Sequence, residues 1–328
     1  MQVETFCNIT QTKLLNKPSI KFVTNFTTNI NKVGEGSLFV AVQKSDITQA
    51  VANGAYAIVC QTIEIEDSKQ DEDIAWIKAH NLKDVCIKLK RFQLNSKNIA
   101  GFYCDDITLN IFSTMIKKNN KIKFLSGNII DDFDHIDIKS SITIYIASEE
   151  SYINKLMSQH KAINQGDIND TTDLICHSLF ETSFIYNSYN FDKIRLPYIY
   201  LKQFLNIFEF IKTQHLNDIK VDISMLKHLN IFWPIFIDTR LHIAEFGKTN
   251  NFLLANKDMK IYSSQLEYIK KDFKYLKLNI IDGFDSFDEV IDNIDIDKNI
   301  NYIIGLSNEE LKNILNQRKQ LCQKSSLF

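Results

Sequence analysis

The sequence predicts an α/β protein whose parallel sheets are built from alternating strands and helices. Short β-branched runs alternate with helical stretches over residues 36–89, and the alternation resumes over residues 99–159 and again after residue 252. Strands separated by helices imply βαβ units, in which the strands run parallel. A chain of 328 residues has room for two or three domains, each with its own core. The expected domains cover residues 1–97, 98–238 and 239–328.

The first domain is expected to contain three strands, two helices and a linker to the second domain. The strands are expected at residues 37–42, 56–62 and 84–89, and the helices at residues 47–53 and 73–82. The second helix is favoured because Ile74, Ile77 and Leu82 fall near one helical face. Residues 90–98 are polar and basic, which is typical of a linker.

The remaining two domains repeat the alternation around a β-hairpin. Aromatic and β-branched residues flank Asn187-Ser188, which predicts a hairpin over residues 182–195. Pro197 is expected to open a long apolar helix over residues 198–214. The other expected strands are residues 121–126, 141–147, 252–255, 278–281 and 301–304, and the other helices are 107–117, 149–159, 223–230, 264–275, 286–294 and 308–320.

Two segments of the first domain carry a family signature. Residues 28–41 read T-N-I-N-K-V-G-E-G-S-L-F-V-A, and residues 50–59 read A-V-A-N-G-A-Y-A-I-V. They resemble the N-terminal domain of the Mur ligases, ATP-dependent enzymes that extend the peptide of peptidoglycan precursors. In that family the segments read roughly T-D-S-R-x-V-x-P-G-D-L-F-V-A, then a helix ending in G-A-x-A-V-V. Leu196-Pro197 also matches the family's L-P before a long helix.

The resemblance implies a three-part, Mur-ligase-like architecture. Its parts are a small N-terminal α/β domain, a central α/β domain of the phosphate-loop type, and a Rossmann-like C-terminal domain. It also implies that Phe39 and Val59 lie in the core of the first domain.

The central domain, however, lacks the residues of a phosphate loop. Phosphoryl transfer from ATP to a carboxylate uses G-x-x-G-K-[ST] at the start of a helix. The resemblance places that loop at residues 100–108, where Gly101 is the only loop glycine and Asp105 or Asp106 replaces the lysine. Two carboxylates would repel a triphosphate at this position. We therefore interpret Asp105 or Asp106 as a cap of the following helix. The alternative is Mg²⁺ between both carboxylates and phosphate. Residues 126–132, with one glycine, are interpreted as a turn.

The substrate end of the signature is incomplete as well. The family's D-S-R triplet, which lies near its uridine-nucleotide substrate, falls on Asn29-Ile30-Asn31, so a bidentate arginine is replaced by an amide. Residues 43–46 join strand to helix directly, where the family has a glycine-rich loop. Thr28, Asn29 and Asn31 are the candidate substrate-binding residues, with Thr27 beside them. Capping and turn roles are the alternative interpretation.

Other chemistry-bearing residues give weaker signals. Asp134-His135-Ile136-Asp137 is interpreted as a surface loop, since it comes too early for the family's metal site. Lys161 is no convincing match for the family's carbamylated lysine, and Arg240 is expected in a surface ion pair. Cys176-His177 are adjacent and are expected to point apart. The histidines form no H-x-x-x-H pattern, so no catalytic residue and no metal site is predicted.

Composition excludes several classes of function. The net charge is −2 and 24% of residues are charged, which gives no basic surface for nucleic acid. The six cysteines are scattered, as in reduced proteins, and no apolar run approaches the roughly 20 residues of a membrane span. The first residues lack the pattern of a signal peptide. We therefore expect a cytoplasmic protein without membrane insertion.

These observations favour a non-catalytic, Mur-ligase-like protein. The expected role is binding or scaffolding in peptidoglycan precursor synthesis, with a protein or a UDP-linked muropeptide as partner and no cofactor, although the family uses ATP and Mg²⁺. The alternative is an active ATP-dependent ligase of UDP-MurNAc-peptides with a rebuilt nucleotide site. A third reading keeps the shape and has an unrelated partner, because fold alone does not fix function.

Overall fold

Five strands near the start of the chain form a mainly parallel sheet. The computed structural model describes residues 1–61, 73–116, 119–137, 141–216 and 218–325. The strands are β1 (Lys13–Leu14), β2 (Asn25–Thr27), β3 (Ser37–Val40), β4 (Ala57–Cys60) and β5 (Ala75–Lys78). They lie in the order β1-β5-β4-β3-β2, and only the β1–β5 pair is antiparallel. Phe39 and Val59 are fully buried, which confirms that part of the prediction.

The helices of this sheet correct two predictions. They are α1 (Val3–Thr10), α2 (Ile47–Ala52) and α3 (Leu82–Leu94). The helix expected at residues 73–82 is instead strand β5, and the strand expected at residues 84–89 lies inside α3. Strand β5 is buried on both faces, so its apolar residues do not alternate and resemble a helix in sequence. The β-branched run in α3 is helical because its buried residues recur three and four positions apart.

A second parallel sheet follows. Its strands are β6 (Ala100–Tyr103), β7 (Ile122–Phe124), β8 (Ile144–Ala147) and β9 (His160–Ala162), in the order β7-β8-β6-β9. The helices are α4 (Asp106–Met115), α5 (Ile129–Asp132) and α6 (Glu150–Leu156). Helix α3 contacts α1 as well as α5 and α6, and one hydrophobic cluster holds buried residues of both sheets. The residues expected as a linker at 90–98 therefore begin inside a buried helix.

The hairpin predicted around Asn187-Ser188 is present within a three-stranded antiparallel sheet. Its strands are β10 (Thr171–Ser178), β11 (Glu181–Tyr186) and β12 (Tyr189–Ile194). Helix α7 (Leu201–Thr213) follows Pro197 after one 3-10 turn, and a further 3-10 helix covers Ile223–His228.

The last sheet mixes one antiparallel strand with three parallel strands. Its order is β13 (Ile235–Ile237), β14 (Asn251–Asn256), β16 (Ile300–Ile304) and β15 (Leu278–Ile281), with β13 antiparallel to β14. The helices are α8 (Met259–Asp272), α9 (Phe287–Asp292) and α10 (Asn308–Ser325). These elements agree with the predicted alternation of the third part.

The chain divides into two compact units. One contains Met1–Leu109 with Lys118–Asn164, and the other contains Asn110–Lys117 with Gln165–Phe328. The first unit holds the two parallel sheets, and the second holds the antiparallel sheet and the mixed sheet. Domain boundaries after residues 97 and 238 stay a prediction. Residues 62 and 117, the last of two predicted elements, lie outside the described residues. None of the helices in the described part of the chain is both long and apolar enough to cross a membrane.

Candidate functional site

The expected phosphate-loop position is a very short connection. Only Cys104 and Asp105 separate the end of β6 from the start of α4. The Asp105 carboxylate accepts hydrogen bonds from the Thr108 backbone N–H at 2.7 Å and from the Thr108 hydroxyl at 2.9 Å. Asp105 therefore caps α4, as expected, and occupies the amide that would face an anion. Burial, then Asp105 and Asp106, raise the pKa of the Cys104 thiol to about 12, so the thiol stays protonated.

Gly101 is not a loop glycine, which corrects the sequence interpretation. It lies inside β6 with an ordinary backbone conformation. A Cβ atom at this position would lie 3.1 Å from Ile153 Cγ1 and 3.1 Å from Met157 Cε. The glycine thus allows α6 to pack closely on the strand, and it contributes no phosphate-binding amide.

The turn after β7 has an anion site that the chain itself fills. The Asp132 carboxylate accepts from the Ser126 N–H at 2.8 Å and from the Gly127 N–H at 3.2 Å. It also accepts from the Tyr152 hydroxyl at 2.7 Å. Asp132 is buried, so these three donors balance the cost of its charge. Only residues 126–128 form the predicted turn, because Asn128 accepts from the Ile130 N–H at 3.2 Å and residues 129–132 form helix α5. The two amides of the turn already bind a carboxylate.

A polar cleft of about 320 Å³ lies beside Thr27. The Thr27 hydroxyl donates to Asp134 Oδ2 at 2.9 Å, and Lys32 Nζ lies 3.8 Å from the same oxygen. Asp137 and Lys90 also line the cleft. The segment 134–137, interpreted from the sequence as a plain surface loop, therefore forms one wall of a charged cleft. No local pattern indicates this wall, because the contact joins residues 107 positions apart.

Lys90 is the most unusual charged residue of this cleft. It is 6% exposed, donates to the Ile136 carbonyl at 2.7 Å, and places Nζ 4.2 Å from the centre of the Phe133 ring. Burial lowers the pKa of Lys90 to about 8, while Asp134 and Asp137 oppose that shift. The cleft therefore contains an ammonium group with a pKa of about 8, well below the ordinary value of a lysine.

The three candidate substrate-binding residues follow Thr27 in the chain, are not among the residues that line the cleft, and have mainly structural roles. The Asn29 side chain accepts from the Asn31 N–H at 3.0 Å and caps the 3-10 turn Ile30–Lys32. The Thr28 hydroxyl donates to the Ile130 carbonyl at 3.2 Å. Asn31 is exposed, and within the described residues its side chain has no hydrogen bond. The geometry thus favours capping for Asn29 and leaves Asn31 accessible.

The remaining candidates are dispersed. Lys161 is exposed in β9. Arg240 is also exposed, and the surface ion pair expected for it is not found within the described residues. The neighbouring Asp238 carboxylate instead lies 3.2 Å from His242 Nδ1. Cys176 and His177 are neighbours on strand β10, rather than on a helix, and so still point to opposite faces. Across the described ranges no group of three His, Cys, Asp or Glu side chains is placed to hold a metal ion.

Comparison with solved structures identifies the fold. Crystal structure I of MurF from Acinetobacter baumannii is 10% identical, covers 96% of this chain and 98% of that chain, and gives a TM-score of 0.59. Crystal structure II of that MurF is 8% identical, covers 96% of this chain and 98% of that chain, and gives a TM-score of 0.53. MurF ligase from Thermotoga maritima in complex with ADP is 13% identical, covers 90% of this chain and 99% of that chain, and gives a TM-score of 0.50.

By sequence, no protein-family model and no curated protein matches the chain. The structural likeness confirms the predicted Mur-ligase-like α/β architecture. At such low identity it establishes the shape of the molecule and leaves its chemistry to the residues. The chain has the fold of the Mur ligases.

Proposed function

We propose that the chain is a non-catalytic protein of the Mur ligase fold, which binds or scaffolds in peptidoglycan precursor synthesis. The supporting observation is the two-residue connection between β6 and α4, closed by Asp105. A triphosphate needs several free backbone amides and a lysine at this place. Here the connection is too short to surround a phosphate, and a carboxylate already accepts the helix amide.

Electrostatics adds to this argument. Asp105 and Asp106 are both exposed at the start of α4, where a phosphate would meet two negative charges. A second strand-to-helix turn, after β7, has its amides on Asp132. In both of these turns a carboxylate of the chain already accepts a backbone amide, and neither residues 104–108 nor residues 126–132 include a lysine.

Calorimetry with Mg-ATP tests the proposal. We expect no saturable heat, and no release of ADP when a UDP-MurNAc-peptide and an amino acid are added. Asp106→Lys is an informative companion, because it returns a cation to the segment without lengthening the turn, and it too should stay silent. A micromolar dissociation constant for the unmodified chain would overturn the non-catalytic reading.

The rival function is an active ATP-dependent ligase of UDP-MurNAc-peptides, and the charged cleft beside Thr27 favours it. Lys32 and Lys90 could meet a diphosphate there, although Asp134 and Asp137 oppose one. Saturation-transfer NMR with a UDP-MurNAc-peptide decides the matter. We expect weak or no transfer. Strong transfer that is lost in Asn31→Ala and Lys90→Met, and kept in Lys83→Met, would support a retained substrate site.

A further inference from the structure

Lys90 is a buried lysine whose amine the proposed function does not use. Its Nζ donates to the Ile136 carbonyl at 2.7 Å and lies 4.2 Å from the centre of the Phe133 ring. The Asp134 carboxylate pairs with Lys32 at 3.8 Å, and within the described residues Lys90 itself has no ion pair. An ammonium has three N–H donors, and here one carbonyl and one aromatic face receive them. A charge paired so incompletely is costly to bury, so the surroundings favour the neutral amine.

The pKa of Lys90 agrees with this geometry. Burial lowers it to about 8, and Lys32 acts in the same direction, while Asp134, Cys86 and Asp137 oppose the shift. At pH 7 about one tenth of the Lys90 side chains are then neutral, against about one in 3,000 for a lysine of ordinary pKa. A desolvated, neutral lysine amine is a nucleophile towards the carbonyl carbon of aldehydes and ketones. Lys90 therefore has the reactivity of a lysine that forms imines.

The charged cleft that Lys90 lines suits a small, uncharged ligand with hydroxyl groups. Its volume of about 320 Å³ is at the lower end of the roughly 300–1,000 Å³ that small-molecule sites occupy. With Lys90 neutral, the charged side chains of the lining are Lys32, Asp134 and Asp137. Their sum is negative, so an anionic ligand is disfavoured. Hydroxyl and amide side chains, which exchange hydrogen bonds with hydroxyl groups, complete the polar lining: Thr24, Asn25, Thr27 and Gln93.

We propose that Lys90 binds a small, uncharged hydroxyaldehyde or hydroxyketone covalently and reversibly, as an imine. The Nζ lone pair attacks the carbonyl carbon, and a C=N bond replaces the C=O bond. Both hydrogens of the amine leave with the carbonyl oxygen as water, so no oxidant or reductant is consumed. Asp134 and Asp137 are the carboxylates of the cleft that can carry these protons. The site goes beyond the binding role argued above and does not depend on it.

Reductive trapping with glyceraldehyde and cyanoborohydride tests the proposal, because reduction converts an imine into a stable amine that peptide mass spectrometry locates. At pH 7 Lys90 should be labelled about tenfold or more faster than Lys83, an exposed lysine on the same helix. The rate at Lys90 should level off above about pH 8, whereas an ordinary lysine gains reactivity up to about pH 10. Propionaldehyde, which lacks hydroxyl groups, and glyoxylate, which is an anion, are the matched probes. The ratio of Lys90 to Lys83 labelling should be highest with glyceraldehyde, and this ratio cancels the intrinsic reactivity of each aldehyde.

Labelling of Lys90 no faster than that of Lys83 would overturn the proposal. An equal labelling ratio with all three aldehydes would overturn the assigned ligand class. The measurement uses the unaltered chain, so its outcome does not depend on the folding of a variant. As a check on the site, Lys90→Met should reduce the label on the intact protein to the level of its exposed lysines, and Lys83→Met should not. This failure is distinct from failure of the proposed function, which only Mg-ATP binding or ligase turnover would show.

Discussion

Thr27 and Asp134, separated by 107 positions, share a hydrogen bond of 2.9 Å between Thr27 Oγ1 and Asp134 Oδ2. The bond joins the first parallel sheet to the segment after α5, on the wall of the charged cleft. Asp134 also lies 3.8 Å from Lys32 Nζ and close enough to Lys90 to influence its pKa. One carboxylate thus organises the polar residues of the cleft.

The pH dependence of stability should reveal the buried Lys90. Its pKa falls from 10.5 to about 8 in the folded chain, so the unfolded chain binds more protons between these values and stability rises with pH. Between pH 7 and 9 the free energy of unfolding should rise by about 1 kcal/mol relative to Lys90→Met. Urea denaturation at both pH values measures it. Lys83→Met, on the same helix, is the control, and a difference between wild type and Lys90→Met that is constant with pH would contradict the prediction.

The cap of α4 should be measurable by substitution. Asp105→Ala removes both bonds to Thr108 and should cost about 1–2 kcal/mol of stability, whereas Asp105→Asn should cost less. Asp106→Ala, one residue later and also exposed, should cost no more than about 0.5–1 kcal/mol through the helix dipole. Thermal or chemical denaturation distinguishes them. Equal effects of the two alanine substitutions would show that Asp105 does not act as the cap.

The sequence indicated the shape more fully than the site. The signature over residues 28–59 and the alternation of strands and helices predicted the fold. Both are local features, because the spacing of apolar residues and the turn residues between elements can be read over short segments. The sequence predicted a helix where strand β5 lies and a strand within helix α3. The apolar residues of β5 do not alternate, because this strand is buried on both faces. The role of Asp105 followed from its place before a helix. The role of Asp134 did not, because no local pattern specifies a partner 107 residues away.

Gly101 should respond to substitution as a packing residue. In Gly101→Ala the new Cβ would press on Ile153 and Met157 at 3.1 Å, so we expect a loss of about 1–3 kcal/mol. Gly34→Ala is the matched control, since no atom lies within 4 Å of its added Cβ and its backbone angle is not positive. Denaturation curves for both variants provide the comparison. A neutral Gly101→Ala would mean that the contact of α6 with β6 adjusts freely.

The second unit contains a buried polar network that should matter for stability. Gln265, 1% exposed, donates to the Tyr200 hydroxyl and to the Ile231 carbonyl, and it accepts from the Tyr302 hydroxyl. Gln265→Leu leaves these groups unpaired, so a loss of about 2–4 kcal/mol is expected. The control is Gln203→Leu, because the buried Gln203 Oε1 has no partner within the described residues, and that change should be nearly neutral. A mild effect at Gln265 would show that water replaces the lost bonds.

Asp105 and Asp132 stabilise the turns after β6 and β7 from within the chain. A protein that takes its anion from solution gains stability from that ligand in proportion to RT ln(1 + [L]/Kd). Here the counter-charges are covalent parts of the chain, bonded to Thr108 and to the amides of Ser126 and Gly127. The stabilisation that these hydrogen bonds give the two turns is therefore intramolecular, and it does not depend on the concentration of an anion in solution.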